Sequence, residues 1–183
     1  MERADKDLAF MLRYENVAWY DEGEVRVLDR RVYPAKIEFV ICRSVEEVAS
    51  SIRDMVTQST GPYTLAPMGM ALAAWKCREK GKEEQKKYLE DASRIISTSR
   101  PTTTKRMAML TDACIPVALK ALEEGKRADI AVRDYVVEMN NQRYNRVRTA
   151  AKYLVDKFPQ NGTVMTQCYA ETILGMMLLE CRE

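Results

Sequence analysis

The 183-residue sequence contains no histidine, and this absence limits the chemistry that it can support. Histidine is the commonest general base near neutral pH and the commonest metal ligand in proteins. Any catalysis must therefore use cysteine, carboxylates, lysine, arginine or backbone dipoles. The sequence also lacks a G-x-G-x-x-G motif, a Walker loop and a metal-ligand cluster. We therefore expect neither a metal nor another cofactor.

The sequence has no C-x-x-C pair, and its number of cysteines is odd. A disulfide framework or a zinc ribbon is therefore not expected. The five cysteines are Cys42, Cys77, Cys114, Cys168 and Cys181.

Membrane and nucleic-acid signals are also missing. Lysine and arginine total 29, aspartate and glutamate total 27, and the net charge of +2 gives no basic footprint for nucleic acid. No apolar run approaches the ~20 residues of a membrane span. The charged residues 1–6 are not followed by the apolar core of a signal peptide. We expect a cytoplasmic protein that binds neither nucleic acid nor a membrane.

The first forty residues favour strands. Apolar and polar residues alternate with period two over residues 25–29 and 36–41, and residues 17–20 form a third short apolar segment. Residues 21–24 contain Gly23, which suits a tight turn. These patterns predict a small antiparallel β-meander.

Helical spacing of apolar residues then dominates. Ser44 and Glu47 form a capping-box pattern at the first of these helices. Pro116 is expected to kink or divide the fourth. The predicted helices cover residues 45–57, about 68–80, a segment around 88–96, 101–125 and 127–158.

The last elements predicted are a strand over residues 163–167 and a helix from Thr172. That helix is apolar on nearly every side, so a second copy, a partner chain or a further domain is expected to cover it. The expected fold is mainly α (α+β), with a β-meander and a helical domain over residues 1–158. Residues 159–183 are interpreted as the strand–helix start of an incomplete α/β domain.

Cys168 is the first candidate for chemistry because it follows the predicted terminal strand and precedes a helix. Ligand sites in α/β domains gather at this edge, and a helix N-terminus favours a thiolate. The alternative is a buried, inert cysteine.

A second candidate surrounds Arg100 and Thr102. Ser99 fits a helix cap and Pro101 a first helical position, so free amides, hydroxyls and Arg100 could converge on a phosphate. Plain helix capping with a solvated arginine is the alternative. Gly61, before the second helix, could approach a ligand, although glycine there is more often part of a simple turn.

Several stretches together resemble the family that contains the 5-methylthioribose-1-phosphate isomerases, the ribose-1,5-bisphosphate isomerases and the regulatory subunits of translation initiation factor 2B. Ser99-Arg100-Pro101-Thr102 resembles the S-R-P-T helix start of this family, and residues 162–168 resemble its strand ending in T-H-C-N-A-G. The other matching stretches are residues 17–23, 28–31, 38–49, 52–56 and 69–74.

The resemblance implies an interconversion of an aldose 1-phosphate and a ketose 1-phosphate, without metal or nucleotide. Cys168 then occupies the position of the catalytic cysteine, and Arg100 that of a phosphate-binding arginine. The catalytic aspartate of the family comes from a C-terminal domain that the resemblance does not reach. In T-H-C-N-A-G, Gln167 replaces the histidine, Tyr169 the asparagine and Glu171 the glycine.

These departures lead to an expectation and leave two interpretations open. Tyr169 and Glu171 should crowd and charge the mouth of the pocket, and Glu171 should repel a phosphate. The chain is either part of a split or truncated isomerase or a non-catalytic regulatory or assembly subunit. A homo-oligomer or a partner chain carrying the missing domain is expected in either case.

Overall fold

The structure, a computed structural model, describes residues 3–181 and confirms a mainly α fold with a small antiparallel sheet. The first two residues of the predicted charged N-terminus and the last two of the predicted terminal helix lie outside the described residues. The helices are α1 (Tyr14–Val17), α2 (Val45–Arg53), α3 (Pro62–Cys77), α4 (Lys82–Ser97), α5 (Thr104–Asp112), α6 (Cys114–Glu123), α7 (Ala128–Val155) and α8 (Glu171–Glu180), with 3₁₀ turns at Phe10–Leu12 and Pro101–Thr103.

The predicted β-meander is confirmed. Its strands, β1 (Ala18–Asp21), β2 (Glu24–Leu28) and β3 (Phe39–Cys42), pair antiparallel in sequence order. Gly23 has φ +87° in the connection between β1 and β2, a conformation that glycine adopts without strain.

The predicted start of α2 is also confirmed. The Ser44 hydroxyl accepts a hydrogen bond of 3.1 Å from the Glu47 amide, and the Glu47 carboxylate accepts one from the Arg43 amide. Helix α2 ends at Arg53, earlier than predicted, because Met55 has φ +59° and cannot continue a right-handed helix.

Helix α3 lies at the centre of the main core and is buried along almost its whole length. It begins at Pro62, not near Met68 as predicted, because proline is favourable in the first turn of a helix. Gly69 allows its close approach to α2 and α4. A Cβ atom there would lie 2.8 Å from Val48 Cγ1 and 2.9 Å from Ile96 Cδ1.

The division of the predicted fourth helix is confirmed. The chain breaks at Ala113 between α5 and α6, and Pro116 lies in the first turn of α6, where its missing amide costs no helical hydrogen bond.

A buried hydrogen-bonded group joins the start of α7 to the sheet. Asp129 accepts a 2.7 Å bond from the Tyr20 hydroxyl and two bonds from the Arg127 guanidinium, at 2.9 and 2.7 Å. Burial alone would raise the pKa of Asp129. The bonds from Arg127 and Tyr20 outweigh it and hold this pKa below its usual value.

Helix α8 packs against α7 and the first 3₁₀ turn in a second apolar cluster, with Met176 and Met177 buried. The prediction of a strand over residues 163–167 is wrong. These residues are exposed, and the described part of the chain offers no strand that pairs with them. A β-strand is stabilised by backbone bonds to a neighbour, so the period-two pattern alone does not form one.

Candidate functional site

A cationic groove opens beside the first turn of α3. Thr102, Lys105 and Arg106 line it together with Tyr63, and its volume is about 530 Å³. The Arg106 guanidinium carbon lies 5.0 Å from the centre of the Tyr63 ring, within range of a cation–π contact. Among the described residues, no aspartate or glutamate lines the groove. A small anion with a polar body suits such a surface.

Arg100 precedes the 3₁₀ turn that carries Thr102. Its carbonyl accepts bonds from the Thr103 amide (3.2 Å) and the Thr104 hydroxyl (3.1 Å). Within residues 3–181, its guanidinium forms no hydrogen bond or ion pair, so it can take a ligand. The expectation that Ser99 caps the following helix is wrong, because its hydroxyl donates to the Ile96 carbonyl of α4 at 2.7 Å.

Gly61 lies immediately before α3 and is fixed by its own turn. Its amide donates to the Gln58 carbonyl at 2.9 Å. A Cβ atom at this position would lie 1.9 Å from Thr57 Oγ1 and 3.0 Å from the Gln58 carbonyl oxygen, so a larger residue would displace the Thr57 side chain. The absence of a side chain at Gly61 thus allows close contact with the Thr57 side chain.

Cys168 lies in the exposed segment between α7 and α8, and the alternative of a buried cysteine is therefore wrong. Its carbonyl accepts a 2.8 Å bond from the Ala170 amide. Cys42, Cys77 and Cys114 are buried.

The prediction that Glu171 charges the mouth of the pocket is wrong. Its side chain is only 4% exposed and pairs at 3.1 Å with the Arg30 guanidinium, itself 16% exposed. The ion pair neutralises the carboxylate and keeps the side chain buried inside the protein. Tyr169, in contrast, is 59% exposed beside Cys168, and its hydroxyl lies 3.9 Å from Met11 Sδ.

Of the four predicted site residues, Gly61 directly precedes α3, and Thr102 lines the groove together with Tyr63 of the first turn of α3. The Thr172 and Thr60 hydroxyl oxygens are 3.5 Å apart, which brings the start of α8 next to Gly61. Cys168, four residues before Thr172, lies within about 14 Å of it along an extended chain.

Sequence reasoning missed three cations at this end of the fold. Lys105 and Arg106 follow the S-R-P-T segment on α5, and Arg30 lies in a loop after β2. The adjacent pair Lys105-Arg106 was the only signal available for the first two. No local pattern could reveal Arg30, because its partner Glu171 is 141 residues away.

No family model matches the chain. A curated relative from Archaeoglobus fulgidus, described as a putative methylthioribose-1-phosphate isomerase, is 26% identical over 153 residues, covering 83% of this chain and 44% of the relative. The chain is a relative of the methylthioribose-1-phosphate isomerases. It spans less than half the length of this relative.

Two solved structures share the fold of this isomerase relative. The first, translation initiation factor 2B subunit delta from A. fulgidus, has a TM-score of 0.71 at 21% identity, covering 91% of this chain and 51% of that one. The second is 5-methylthioribose 1-phosphate isomerase from Pyrococcus horikoshii, with a TM-score of 0.56 at 20% identity, covering 79% and 41%.

Residues 3–181 contain no cluster of three or more cysteine, aspartate or glutamate side chains arranged to hold a metal ion. No helix in the same range is both long and apolar enough to cross a membrane.

Proposed function

We propose that this chain binds a sugar 1-phosphate and takes part in aldose–ketose isomerisation, with Cys168 as the reactive thiol. The kinship with isomerases is the observation that carries this proposal. The exposed position of Cys168 and the cationic groove beside Gly61 support it. Residues 159–183 would then begin the α/β domain of the family.

The phosphate is assigned to Arg100 and Thr102. The Arg100 guanidinium has no partner within residues 3–181, and a guanidinium matches the geometry of a phosphate with two parallel hydrogen bonds. Thr102 adds an exposed hydroxyl at the groove wall. Gly61 shapes the turn immediately before α3, and Tyr63 in the first turn of α3 lines the groove.

The chemistry requires moving hydrogen between C1 and C2 of the sugar, as a proton or a hydride. A thiol and a carboxylate with opposed pKa values could do this in a pocket that excludes water. Cys168 supplies the thiol. The carboxylate is expected from another domain or chain, because Glu171 is committed to Arg30.

Binding tests the phosphate assignment. Calorimetric titration with 5-methylthioribose 1-phosphate should show binding that Arg100→Ala weakens about 10- to 100-fold, since charge-assisted bonds contribute about 1.5–3 kcal/mol. Arg94→Ala is the matched control, because Arg94 lies exposed on α4 and pairs with Asp91. Unchanged affinity in Arg100→Ala would refute the assignment.

A specific observation favours a second function, that of a non-catalytic assembly subunit. Large apolar side chains are exposed near the end of α7, in the following segment and on α8, among them Tyr153, Met165 (93% exposed) and Leu178. Such residues are typical of a surface that a partner covers. Sedimentation analysis would support this function by showing a stable assembly that binds no sugar phosphate.

A further inference from the structure

A second cavity, of about 310 Å³, lies beside the groove between α5 and α7. Three arginines contribute to its lining, Arg106, Arg143 and Arg146, together with Asn140 from the same face of α7. In the described part of the chain, no aspartate or glutamate lines this cavity. Among residues 3–181, none of the three guanidiniums forms an ion pair with a carboxylate.

Three buried nitrogen atoms beside this cavity are hydrogen-bond donors without an acceptor within residues 3–181. Arg143 Nε and Nη1 and Asn140 Nδ2 are buried and have no hydrogen-bond partner among the described residues. All three are donors. A buried donor without an acceptor costs about 1–3 kcal/mol, and more when the group is charged. What these atoms require is therefore an acceptor.

The first turn of α3 fixes both side chains. The Thr64 hydroxyl donates to Asn140 Oδ1 at 3.3 Å, and Arg143 Nη2 donates to the same Thr64 oxygen at 3.3 Å. Because Oδ1 of Asn140 is engaged, its Nδ2 is left as the donor. The donors are thus held in place before any ligand arrives, which lowers the entropic cost of binding.

Among residues 3–181, no carboxylate pairs with Arg143, and its guanidinium carbon lies 5.2 Å from the centre of the Tyr144 ring, a cation–π contact that offsets only part of the charge. Burial lowers the pKa of Arg143, and the positive charge of Arg106 lowers it further. An arginine nevertheless keeps its proton in proteins. A buried cation without a counter-ion is strongly unfavourable, and binding an anion removes this penalty.

We infer that Arg143 and Asn140 form a binding site for the oxyanion of a small molecule, a phosphate or a carboxylate group. An oxyanion offers several acceptor oxygens for the three unpaired donors, and Arg106 adds positive charge at the cavity wall. This site does not depend on the sugar-phosphate assignment of Arg100. An acidic partner protein is a different occupant and is not part of this inference.

The probes are inorganic phosphate and succinate, each titrated at constant ionic strength and followed by thermal unfolding and calorimetry. Wild-type protein should bind one of them saturably and unfold at a higher temperature with it. Preference for phosphate would indicate a phosphate ester, and preference for succinate a carboxylate. Failure of both probes to bind at millimolar concentration would overturn the inference.

Two variants test the residues. Arg143→Met should weaken binding about tenfold or more and raise the unfolding temperature without anion, because it removes an uncompensated charge. Asn140→Asp should have the same two effects by supplying an internal counter-ion, and it keeps the acceptor for Thr64. The second variant remains decisive if Arg143→Met does not fold.

Two controls separate this site from non-specific screening and from the sugar-phosphate site. Arg146→Gln removes an exposed positive charge from the same cavity wall, and Arg100→Ala removes the cation assigned to the sugar phosphate. Both variants should retain at least half of the anion-induced rise in unfolding temperature. Equal binding by wild type and Arg143→Met would show an adventitious ion only and would overturn the inference.

Discussion

Removal of the Glu171 carboxylate should destabilise the protein strongly. The ion pair between Glu171 and Arg30 joins the first residue of α8 to the loop after β2, and both side chains are largely buried. Glu171→Ala leaves the Arg30 guanidinium buried without its counter-ion. It also removes a negative charge from a helix N-terminus, where such a charge is favourable.

The size of the effect follows from burial. Breaking a buried ion pair by removing one partner costs about 3–5 kcal/mol. Arg30 keeps some contact with water at 16% exposure, so we expect a loss near the lower end, about 3 kcal/mol. With a urea m-value of about 1–3 kcal/mol/M, the unfolding midpoint should fall by about 1–3 M.

Urea unfolding followed by far-ultraviolet circular dichroism measures this loss. The double variant Arg30→Met/Glu171→Leu should be more stable than Glu171→Ala, because it leaves no unpaired charge. Arg53→Met/Asp54→Leu is the matched control, since that pair is exposed and should contribute less than about 1 kcal/mol. A loss below about 0.5 kcal/mol in Glu171→Ala would refute the described docking of α8.

Three other predictions follow from the packing, the thiols and one buried carboxylate. Gly69→Ala should lower the free energy of unfolding by about 1–3 kcal/mol, because the added methyl group would collide with neighbouring side chains. Gly81 has open space around it, so Gly81→Ala should change this free energy by less than about 1 kcal/mol. Equal effects of the two variants would contradict the close helix contact. Cys168 should react with a thiol reagent at neutral pH faster than Cys181, which is also exposed, as mass spectrometry of labelled peptides can measure; equal rates would argue against an activated thiol. Folding lowers the pKa of Asp129, so the ionised carboxylate adds to the free energy of unfolding above about pH 4, and this stabilisation is lost as the pH falls further. Asp129→Asn should therefore flatten the acid side of the curve of unfolding free energy against pH, and an unchanged curve would contradict this.

The local patterns of the sequence predicted most of the elements. The meander, the cap at Ser44 and the division near Pro116 were predictable because each depends on residues close in sequence. The early start of α3 at Pro62 was missed because glycine and proline suggested a turn. The strand over residues 163–167 was wrong because its alternation says nothing about a neighbour in space.

The candidate site was predictable only in part. Cys168 and Arg100 could be selected from their motifs, and their roles remain predictions. The orientation of Glu171 depends on Arg30, and the unpaired donors of Arg143 and Asn140 depend on the packing of α7 against α3. Long-range contacts of this kind leave no periodic signal in the sequence.

The most direct test of the proposed function is turnover followed by nuclear magnetic resonance. The purified chain would be incubated with 5-methylthioribose 1-phosphate and, separately, with ribose 1,5-bisphosphate, with Cys168→Ser as the control. The proposal predicts a ketose product that disappears in the variant, from this chain alone or after addition of a chain that supplies the carboxylate. Absence of product from folded protein in both settings, or equal product from Cys168→Ser, would contradict it.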